Sequence, residues 1–122
     1  MVTATYEGLT KLKNDKTAVG EYNYKKRNFI ISRGGFAGVH RYAGIWTGDS
    51  ASSWDFLQIN IPEVLNVGLS GLPISGCDIG GFGKGSGSVT ENGTHNVTQY
   101  ELFTRWMTAG AFLPWYRNHY DG

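Results

Sequence analysis

Short apolar segments alternate with amphipathic segments along this chain, and this alternation restricts the possible folds more than any other feature. The apolar segments cover residues 28–32, 42–46 and 72–78, and a last extended segment runs over residues 110–119. Unbroken apolar strands suit parallel sheets that are covered on both faces. Strands that alternate with helices are typical of such sheets. The predicted fold class is therefore α/β, in a chain without an internal repeat or a linker.

A long helix is predicted after the second strand. It begins at Ser52, which forms a capping-box pattern with Asp55. Pro62 falls inside the helical pattern, so a kink or a restart is expected there. Gly68 and Gly71 are both plausible stops. The expected buried stripe of this helix consists of Trp54, Leu57, Ile61, Val64 and Leu65.

Two further helices are predicted, one before the first strand and one before the last extended segment. The first covers residues 3–13. The other opens with Thr98 and Glu101, which again form a capping-box pattern. Its expected buried stripe consists of Tyr100, Phe103, Trp106 and Met107.

The glycine-rich segment 79–97 is predicted to be a surface loop rather than a phosphate site. A phosphate-binding loop needs Ser or Thr directly after its lysine, but Lys84 is followed by Gly85. The dinucleotide pattern also fails, because Ser86 and Ser88 occupy the positions of its third glycine. Neither nucleotide-binding motif is therefore present.

Charge and composition exclude several classes of partner. Eleven basic against ten acidic residues leave a formal charge of +1, which is too small to hold nucleic acid. The single cysteine, Cys77, excludes a disulfide framework and a cysteine zinc cluster. The three histidines show no ligand spacing, so neither a metal nor a cofactor is predicted. No apolar run approaches the roughly 20 residues of a membrane helix, so no membrane partner is predicted.

Polar and aromatic side chains recur at the predicted ends of the strands. Arg33 follows the first strand, Trp46 and Asp49 follow the second, Asp78 ends the third, and His119 lies near the end of the last segment. In a (β/α)₈ barrel, the chemistry lies at the carboxyl ends of the strands. The recurrence therefore predicts one site that is shared by these strand ends.

Asp49 has a structural explanation beside the functional one. An aspartate in this position is often a helix cap or a solvated loop residue. However, Ser50, Ser52 and Ser53 could cap the helix without it. The nearby Trp46 indole could desolvate the carboxyl group, and desolvation favours the neutral acid that a proton donor requires.

The other candidates also have structural alternatives. Asp78 could belong to a turn, but a buried carboxylate at a strand end needs a partner, and Arg33 or a sugar hydroxyl would serve. Arg33 could equally form a structural ion pair. Taken singly, His119 is an ordinary polar residue, and Phe82 and Trp115 are ordinary packing residues.

Four motifs, taken together and in order, resemble glycoside hydrolase family 31. They are Arg33-Gly-Gly-Phe-Ala-Gly, Arg41-Tyr-Ala-Gly-Ile-Trp-Thr-Gly-Asp49, Gly76-Cys-Asp-Ile-Gly-Gly-Phe82 and Arg117-Asn-His119. The family comprises α-glucosidases, α-xylosidases, α-glucosyltransferases and α-1,4-glucan lyases, and the resemblance covers nearly the whole chain. It implies a partial (β/α)₈ TIM barrel, roughly strands 5 to 8 with their helices. Residues 1–122 would then be a fragment of a single catalytic domain.

The resemblance implies a role for each candidate residue. Asp49, in Trp-Thr-Gly-Asp, matches the family's general acid/base. Arg33 matches the arginine that binds hydroxyls of the nonreducing-end sugar. The residues that match the lining of the same subsite are Trp46, Asp78, Phe82 and His119. The implied function is part of a retaining α-glucoside hydrolase, acting on α-glucosides or oligosaccharides.

Three alternative functions remain open at this stage. Thr47 stands where hydrolases more often carry serine, which is similar to the lyase branch, whose covalent intermediate loses a ring proton. An acceptor sugar in place of water would make the enzyme an α-glucosyltransferase. A noncatalytic carbohydrate-binding module could use Trp46, Phe82 and Trp115 as stacking platforms. Such modules are usually antiparallel sandwiches, so the alternation of strands and helices argues against one.

The family's nucleophile is not found in this sequence. It is an aspartate in a Trp-x-Asp-Met-Asn-Glu type of motif, and no such motif occurs here. Asp15 is no candidate, because it lies in a predicted polar loop, and Asp78 matches a binding residue instead. The expected partner of the chain is therefore the remainder of the catalytic barrel, and the isolated chain is predicted to be inactive.

Overall fold

The computed structural model describes residues 1–91, 93 and 95–121, without the side chains of Glu91 and His95. Helices and short strands alternate along most of this length. The helices are α1 (Val2–Lys13), α2 (Lys16–Asn23), α3 (Trp54–Leu69) and α4 (Tyr100–Gly110), with a 3₁₀ turn at Val39–Arg41. The strands are β1 (Ile31–Ser32), β2 (Gly44–Trp46), β3 (Ser75–Gly76), β4 (Asp78–Ile79), β5 (Ser88–Glu91), β6 (His95–Thr98) and β7 (Arg117–Asn118).

The strands that carry the predicted site residues pair in parallel, which confirms the α/β prediction. One sheet has the order β1-β2-β3, and β4 pairs separately with β7. The predicted strand 72–78 is in fact two strands, since β3 pairs with β2 while β4 pairs with β7. The change of partner falls at Cys77, which is almost fully buried.

The N-terminal region contains one predicted helix and one that was missed. Helix α1 matches the prediction closely. Asp15 lies in the short connection between α1 and α2, as predicted, and caps α2 by accepting a hydrogen bond from the backbone N–H of Thr17 at 2.9 Å. Hydrogen bonds from Thr17 hold the pKa of Asp15 below its ordinary value. Helix α2 was missed because Gly20, at φ +73°, interrupts its helical pattern.

Helix α3 differs from the prediction at its start and in its middle. Its cap is Ser53, whose side chain accepts from the N–H of Phe56, and not Ser52. The helix continues through Pro62 without ending. Pro62 is exposed, so water can replace the hydrogen bond that proline cannot make. The helix ends at Leu69, and Gly71 follows at φ +87°. The glycine that terminates the helix is therefore Gly71 and not Gly68.

The predicted buried stripe of α3 is only partly correct. Val64 is buried and Leu57 packs at the edge of the core, but three residues are exposed: Trp54, Ile61 and Leu65. The helix carries apolar residues on more than one face, so its periodicity does not identify a single buried side. Its remaining apolar face is open to solvent in this chain.

The glycine-rich segment is more ordered than the predicted surface loop. It contains the antiparallel hairpin β5–β6, in which Val89 lies opposite Val97. Before the hairpin, the segment packs against the start of α3, and the N–H of Ser52 donates to the carbonyl of Gly83 at 2.8 Å. The segment therefore covers the loop between β2 and α3.

Helix α4 completes the main core. Its buried residues are Leu102, Trp106 and Gly110, and Leu102 and Trp106 pack with Cys77 and Ile79. The predicted stripe is wrong for Tyr100, which is 76 % exposed, and for Met107, which is also exposed. The predicted cap is wrong as well: the Thr98 hydroxyl donates to the carbonyl of Gly80 instead of capping α4. None of the helices within the described residues is long and apolar enough to cross a membrane.

Candidate active site

Arg33 and Asp49 form an ion pair at the ends of two neighbouring parallel strands. Arg33 follows β1, Asp49 follows β2, and Arg33 Nη2 lies 3.1 Å from Asp49 Oδ2. The Asp49 side chain is 39 % exposed, so the expected desolvation by Trp46 is not observed. The carboxylate instead faces a guanidinium group and solvent, where a ligand can reach it.

Asp78 is fully buried, and both of its carboxylate oxygens have partners. Oδ1 accepts from Arg117 Nη2 at 2.7 Å, and Oδ2 accepts from the indole N–H of Trp46 at 3.1 Å. Arg33, which the sequence suggested as a partner of Asp78, forms an ion pair with Asp49 instead. The reason is the strand order, because β4 pairs with β7 and places Asp78 opposite Arg117.

The Trp46 indole connects the two ion pairs. Its N–H is shared between the Gly48 carbonyl, at 3.0 Å, and Asp78. The guanidinium carbons of Arg33 and Arg117 lie 5.2 Å and 5.7 Å from the centre of its ring. Both distances are within the range of cation–π attraction. Trp46 is thus held by hydrogen bonds at its edge and by two cations near its ring.

Phe82 and His119 form a ring pair beside these ion pairs. Their centroids are 5.0 Å apart, with an interplanar angle of 32°. The backbone N–H of Phe82 donates to the Ser50 carbonyl at 2.7 Å, and the N–H of Asp121 donates to the Phe82 carbonyl at 2.8 Å. The backbone of Phe82 is therefore hydrogen-bonded both to the loop that contains Asp49 and to the segment that follows His119.

The serines near Asp49 have structural roles that leave its carboxylate free. Ser53 caps α3, and the Ser52 hydroxyl donates to Thr98 Oγ1 at 2.9 Å. Asp49 is therefore not needed as a cap, as its surplus of neighbouring serines indicated. Its only described side-chain partner is Arg33.

Two polar groups near the site, the partly exposed Arg117 and the buried Asn60, were given no role by the sequence prediction. Arg117 holds Asp78, and Asn60, on α3, accepts a hydrogen bond from the hydroxyl of Thr47. A weak sequence signal could have identified Arg117. It lies two residues after Trp115 and two before His119, so the three share one face of the predicted last extended segment. Asn60 gives none, because a single amide in a helix resembles a surface residue. Trp115 is buried and packs against Arg117, so it is not an open stacking platform.

The buried Cys77 is not suited to act as a nucleophile. Burial, followed by the nearby charges of Asp78 and Glu63, raises the pKa of Cys77 to about 12. This thiol is therefore protonated at neutral pH and unreactive. Among the described residues, no group of three or more His, Cys, Asp or Glu side chains is placed to hold a metal ion.

The parallel strands, with acids, guanidinium groups and aromatic rings gathered at their ends, place the chain among the α/β proteins whose chemistry lies at the carboxyl ends of strands. Residues 1–122 match the family model described as the glycosyl hydrolases family 31 TIM-barrel domain. The chain belongs to glycoside hydrolase family 31.

Relatives and solved structures agree with this assignment. Alpha-glucosidase 2 of Bacillus thermoamyloliquefaciens is 44 % identical over 119 residues, which is 98 % of this chain and 12 % of that protein. An alpha-xylosidase of the family from a soil metagenome, complexed with xylose, has a TM-score of 0.73 at 30 % identity, over 98 % of this chain and 15 % of that one. The alpha-1,4-glucan lyase of Gracilariopsis lemaneiformis has a TM-score of 0.67 at 37 % identity, over 89 % and 11 %. The chain thus spans a small part of the length of these relatives.

Proposed function

We propose that residues 1–122 supply the general acid/base and the sugar-binding residues of a retaining α-glucoside hydrolase. The observation that carries this proposal is the contact network that joins Asp49, Arg33, Trp46 and Asp78 at the ends of parallel strands. Relatives named alpha-glucosidases from a bacterium and a rat support the substrate class.

The chain is proposed to form roughly the fifth to eighth strands, with their helices, of a single (β/α)₈ catalytic domain. The small share of each relative that it covers supports this assignment. The remainder of the barrel would then supply the nucleophile. In retaining glycosidases the two carboxyl groups lie roughly 5–5.5 Å apart, so the nucleophile must approach Asp49 from another strand end.

In this mechanism Asp49 acts twice. It first donates a proton to the glycosidic oxygen while the nucleophile attacks the anomeric carbon, and it then removes a proton from the water that releases the sugar. Arg33 has five N–H donors, so it can hold Asp49 and also bind sugar hydroxyls. The transition state resembles an oxocarbenium ion, which the carboxylates stabilise electrostatically.

The other candidates would line the sugar subsite in two ways. Phe82, His119 and Trp46 would contact the sugar through their rings and polar edges. Asp78 is proposed to contribute by fixing Trp46 and Arg117, because both of its oxygens are already bonded. Each carboxylate oxygen could accept a further bond, but Asp78 is fully buried, so a sugar hydroxyl would have to displace the groups that cover it.

The test is the substitution Asp49→Asn in the complete enzyme that contains this segment. Turnover of maltose is expected to fall by at least about 100-fold, since general acid–base catalysis contributes on this scale, while glucose binding is retained. The control is Asp55→Asn, at an exposed carboxylate in the first turn of α3, which is expected to change neither. Unchanged turnover in Asp49→Asn would exclude the acid/base role.

Product analysis separates the branches of the family. The likeness to the solved alpha-1,4-glucan lyase keeps elimination as a second candidate. Glucose as product means hydrolysis, an elongated oligosaccharide means transfer, and an unsaturated sugar means elimination. The purified 122-residue chain alone is expected to turn over no aryl α-glucoside, because its nucleophile is proposed to lie elsewhere.

A further inference from the structure

A buried hydrogen bond connects the segment before Asp49 to helix α3. Thr47 Oγ1 donates to Asn60 Oδ1 at 3.1 Å. Asn60 is only 2 % exposed, and its Nδ2 donates to the Phe56 carbonyl at 2.7 Å, one helical turn back. Since the nitrogen is committed to the helix backbone, the oxygen of the amide faces the Thr47 hydroxyl. The amide orientation is thus fixed by two partners.

Thr47 is held on its other side by the sheet. Its backbone N–H donates to the Gly76 carbonyl at 3.0 Å. The next turn is closed by the Trp46 indole, which donates to the Gly48 carbonyl, and Gly48 adopts φ +99°, a conformation that favours glycine. These bonds fix the backbone immediately before Asp49 against both the sheet and the helix.

The segment after Asp49 is attached to the same helix. Ser53 caps α3, and Ser52 is fully buried and bonds Thr98. Asp49 therefore lies in a short segment, Thr47 to Ser53, whose two ends both contact α3. After Asp49, the Ser50 carbonyl also accepts from the N–H groups of Phe82 and Gly83. Before Asp49, the bond from Thr47 to Asn60 is the side-chain attachment to α3, so its loss should displace the carboxylate.

We propose that Asn60 is a positioning residue that acts through the Thr47 hydroxyl to place the Asp49 carboxyl group at the glycosidic oxygen. This inference rests on the proposed acid/base role of Asp49. In this inference the role of Thr47 is to donate its hydroxyl hydrogen bond to Asn60. A serine hydroxyl could donate the same bond. The choice between threonine and serine then does not decide between hydrolysis and elimination.

A positioning role predicts a specific pattern of kinetic loss. A misplaced acid matters most when the leaving group needs a proton, as the sugar alcohol of maltose does. It matters little for 2,4-dinitrophenyl α-glucoside, whose leaving group departs as a stable anion. The ratio kcat/KM covers only the steps up to the covalent intermediate, so comparing it between the two substrates isolates the acid. Loss of stability alone would lower both values together.

The experiment compares Thr47→Val, Asn60→Leu, their combination and Thr47→Ser in the complete enzyme. Thr47→Val is expected to lower kcat/KM for maltose about 10- to 100-fold, the scale of an ångström-sized misplacement, and for the dinitrophenyl glucoside by less than about threefold. The double variant should cost no more than either single one, because both remove the same bond. Thr47→Ser should restore activity and leave the product unchanged. The control is Thr108→Val, whose exposed hydroxyl also bonds a carbonyl.

The outcomes separate this inference from the proposed function. Equal losses on both substrates in Thr47→Val, no rescue by Thr47→Ser, or additive losses in the double variant would overturn the role of Asn60. Asp49→Ala serves as reference, because without a leaving-group dependence in that variant the acid/base role itself fails. If Asn60→Leu does not fold, Thr47→Val and Thr47→Ser decide the question by themselves.

Discussion

Arg117 stands directly opposite Asp78 in the pairing of β4 with β7, and its Nη2 lies 2.7 Å from a carboxylate that solvent does not reach. The same carboxylate accepts the indole N–H of Trp46. Burying a charge is costly unless a partner and hydrogen bonds compensate it. Arg117 and Trp46 therefore compensate the buried charge of Asp78, whereas both side chains of the pair between Arg33 and Asp49 are exposed to solvent.

Removing the cation that pairs with the buried Asp78 carboxylate should destabilise the protein. Arg117→Met is expected to lower the free energy of unfolding by about 3 kcal/mol, because the Asp78 carboxylate is left buried without its cation. The matched control is Arg105→Met, which breaks an exposed pair with Glu101 at 3.6 Å and should change stability by less than about 0.5 kcal/mol. Urea denaturation of the complete enzyme measures both, and equal effects would contradict the prediction.

The glycine-rich segment should be sensitive to side chains where it touches the loop of Asp49. A Cβ added at Gly81 would lie 2.5 Å from the backbone nitrogen of Ser52, and Gly81 adopts φ +83°. Gly81→Ala is therefore expected to cost about 3 kcal/mol from strain and overlap. Gly83→Ala is the control, because open space surrounds that position. A surface loop without packing would tolerate both changes equally, as thermal unfolding would show.

Cys77 should be protected from alkylation and should make stability depend on pH at alkaline values. Its pKa is raised from an ordinary 9.0 to about 12, so the folded state keeps a proton that the unfolded state releases between these values. Stability is then fully present below pH 9 and is lost as pH rises toward 12. The difference in unfolding free energy between the native protein and Cys77→Ala should shrink by about 1.4 kcal/mol per pH unit above 9.

Two measurements check this behaviour. Peptide mass mapping after iodoacetamide treatment at pH 8 should find Cys77 unmodified in the native enzyme and modified in urea. Urea denaturation at several alkaline pH values should reveal the shrinking difference. Rapid native modification, or a difference that stays constant with pH, would contradict the burial of the thiol.

The isolated 122-residue chain should associate with itself. Strands β1 and β7 each pair on one side within the described residues, and α3 exposes apolar residues that include Ile59, Leu65 and Leu69. Unpaired strand edges and large apolar patches favour association. Sedimentation velocity over a range of concentrations should show oligomers, whereas a monodisperse monomer would argue against exposed barrel edges.

The helices α1, α3 and α4 and the parallel strands were largely predictable from the sequence, because they depend on local pattern. Arg33 and Asp49 were predicted to follow strand ends, and the structure places both after β1 and β2. Asp78 was predicted to end a strand, but it begins β4. The sequence did not predict which aspartate forms an ion pair with which arginine. Asp78 pairs with Arg117, 39 positions later, and that choice depends on which strands lie side by side, which no local pattern contains.

The missed elements have local reasons. Helix α2 is short and broken at Gly20, so it lacks a sustained helical period. The hairpin β5–β6 has one apolar residue in each strand, Val89 and Val97, which is too few to reveal an alternating pattern. The dipeptide Asn92-Gly93 between its strands is a strong hairpin signal in sequence. The glycines that precede the hairpin made the whole segment resemble a surface loop. Asn92 itself lies outside the described residues.

The base of that hairpin has a consequence for how such chains diverge. The N–H of Gln99 donates to the Gly87 carbonyl at 2.8 Å, so the chain leaves the barrel wall and returns to it at nearly one point. Insertions and deletions between these two residues need not shift any other strand. The length of the hairpin can thus change during evolution while the loop that carries Asp49 and the bonds that hold it stay in place.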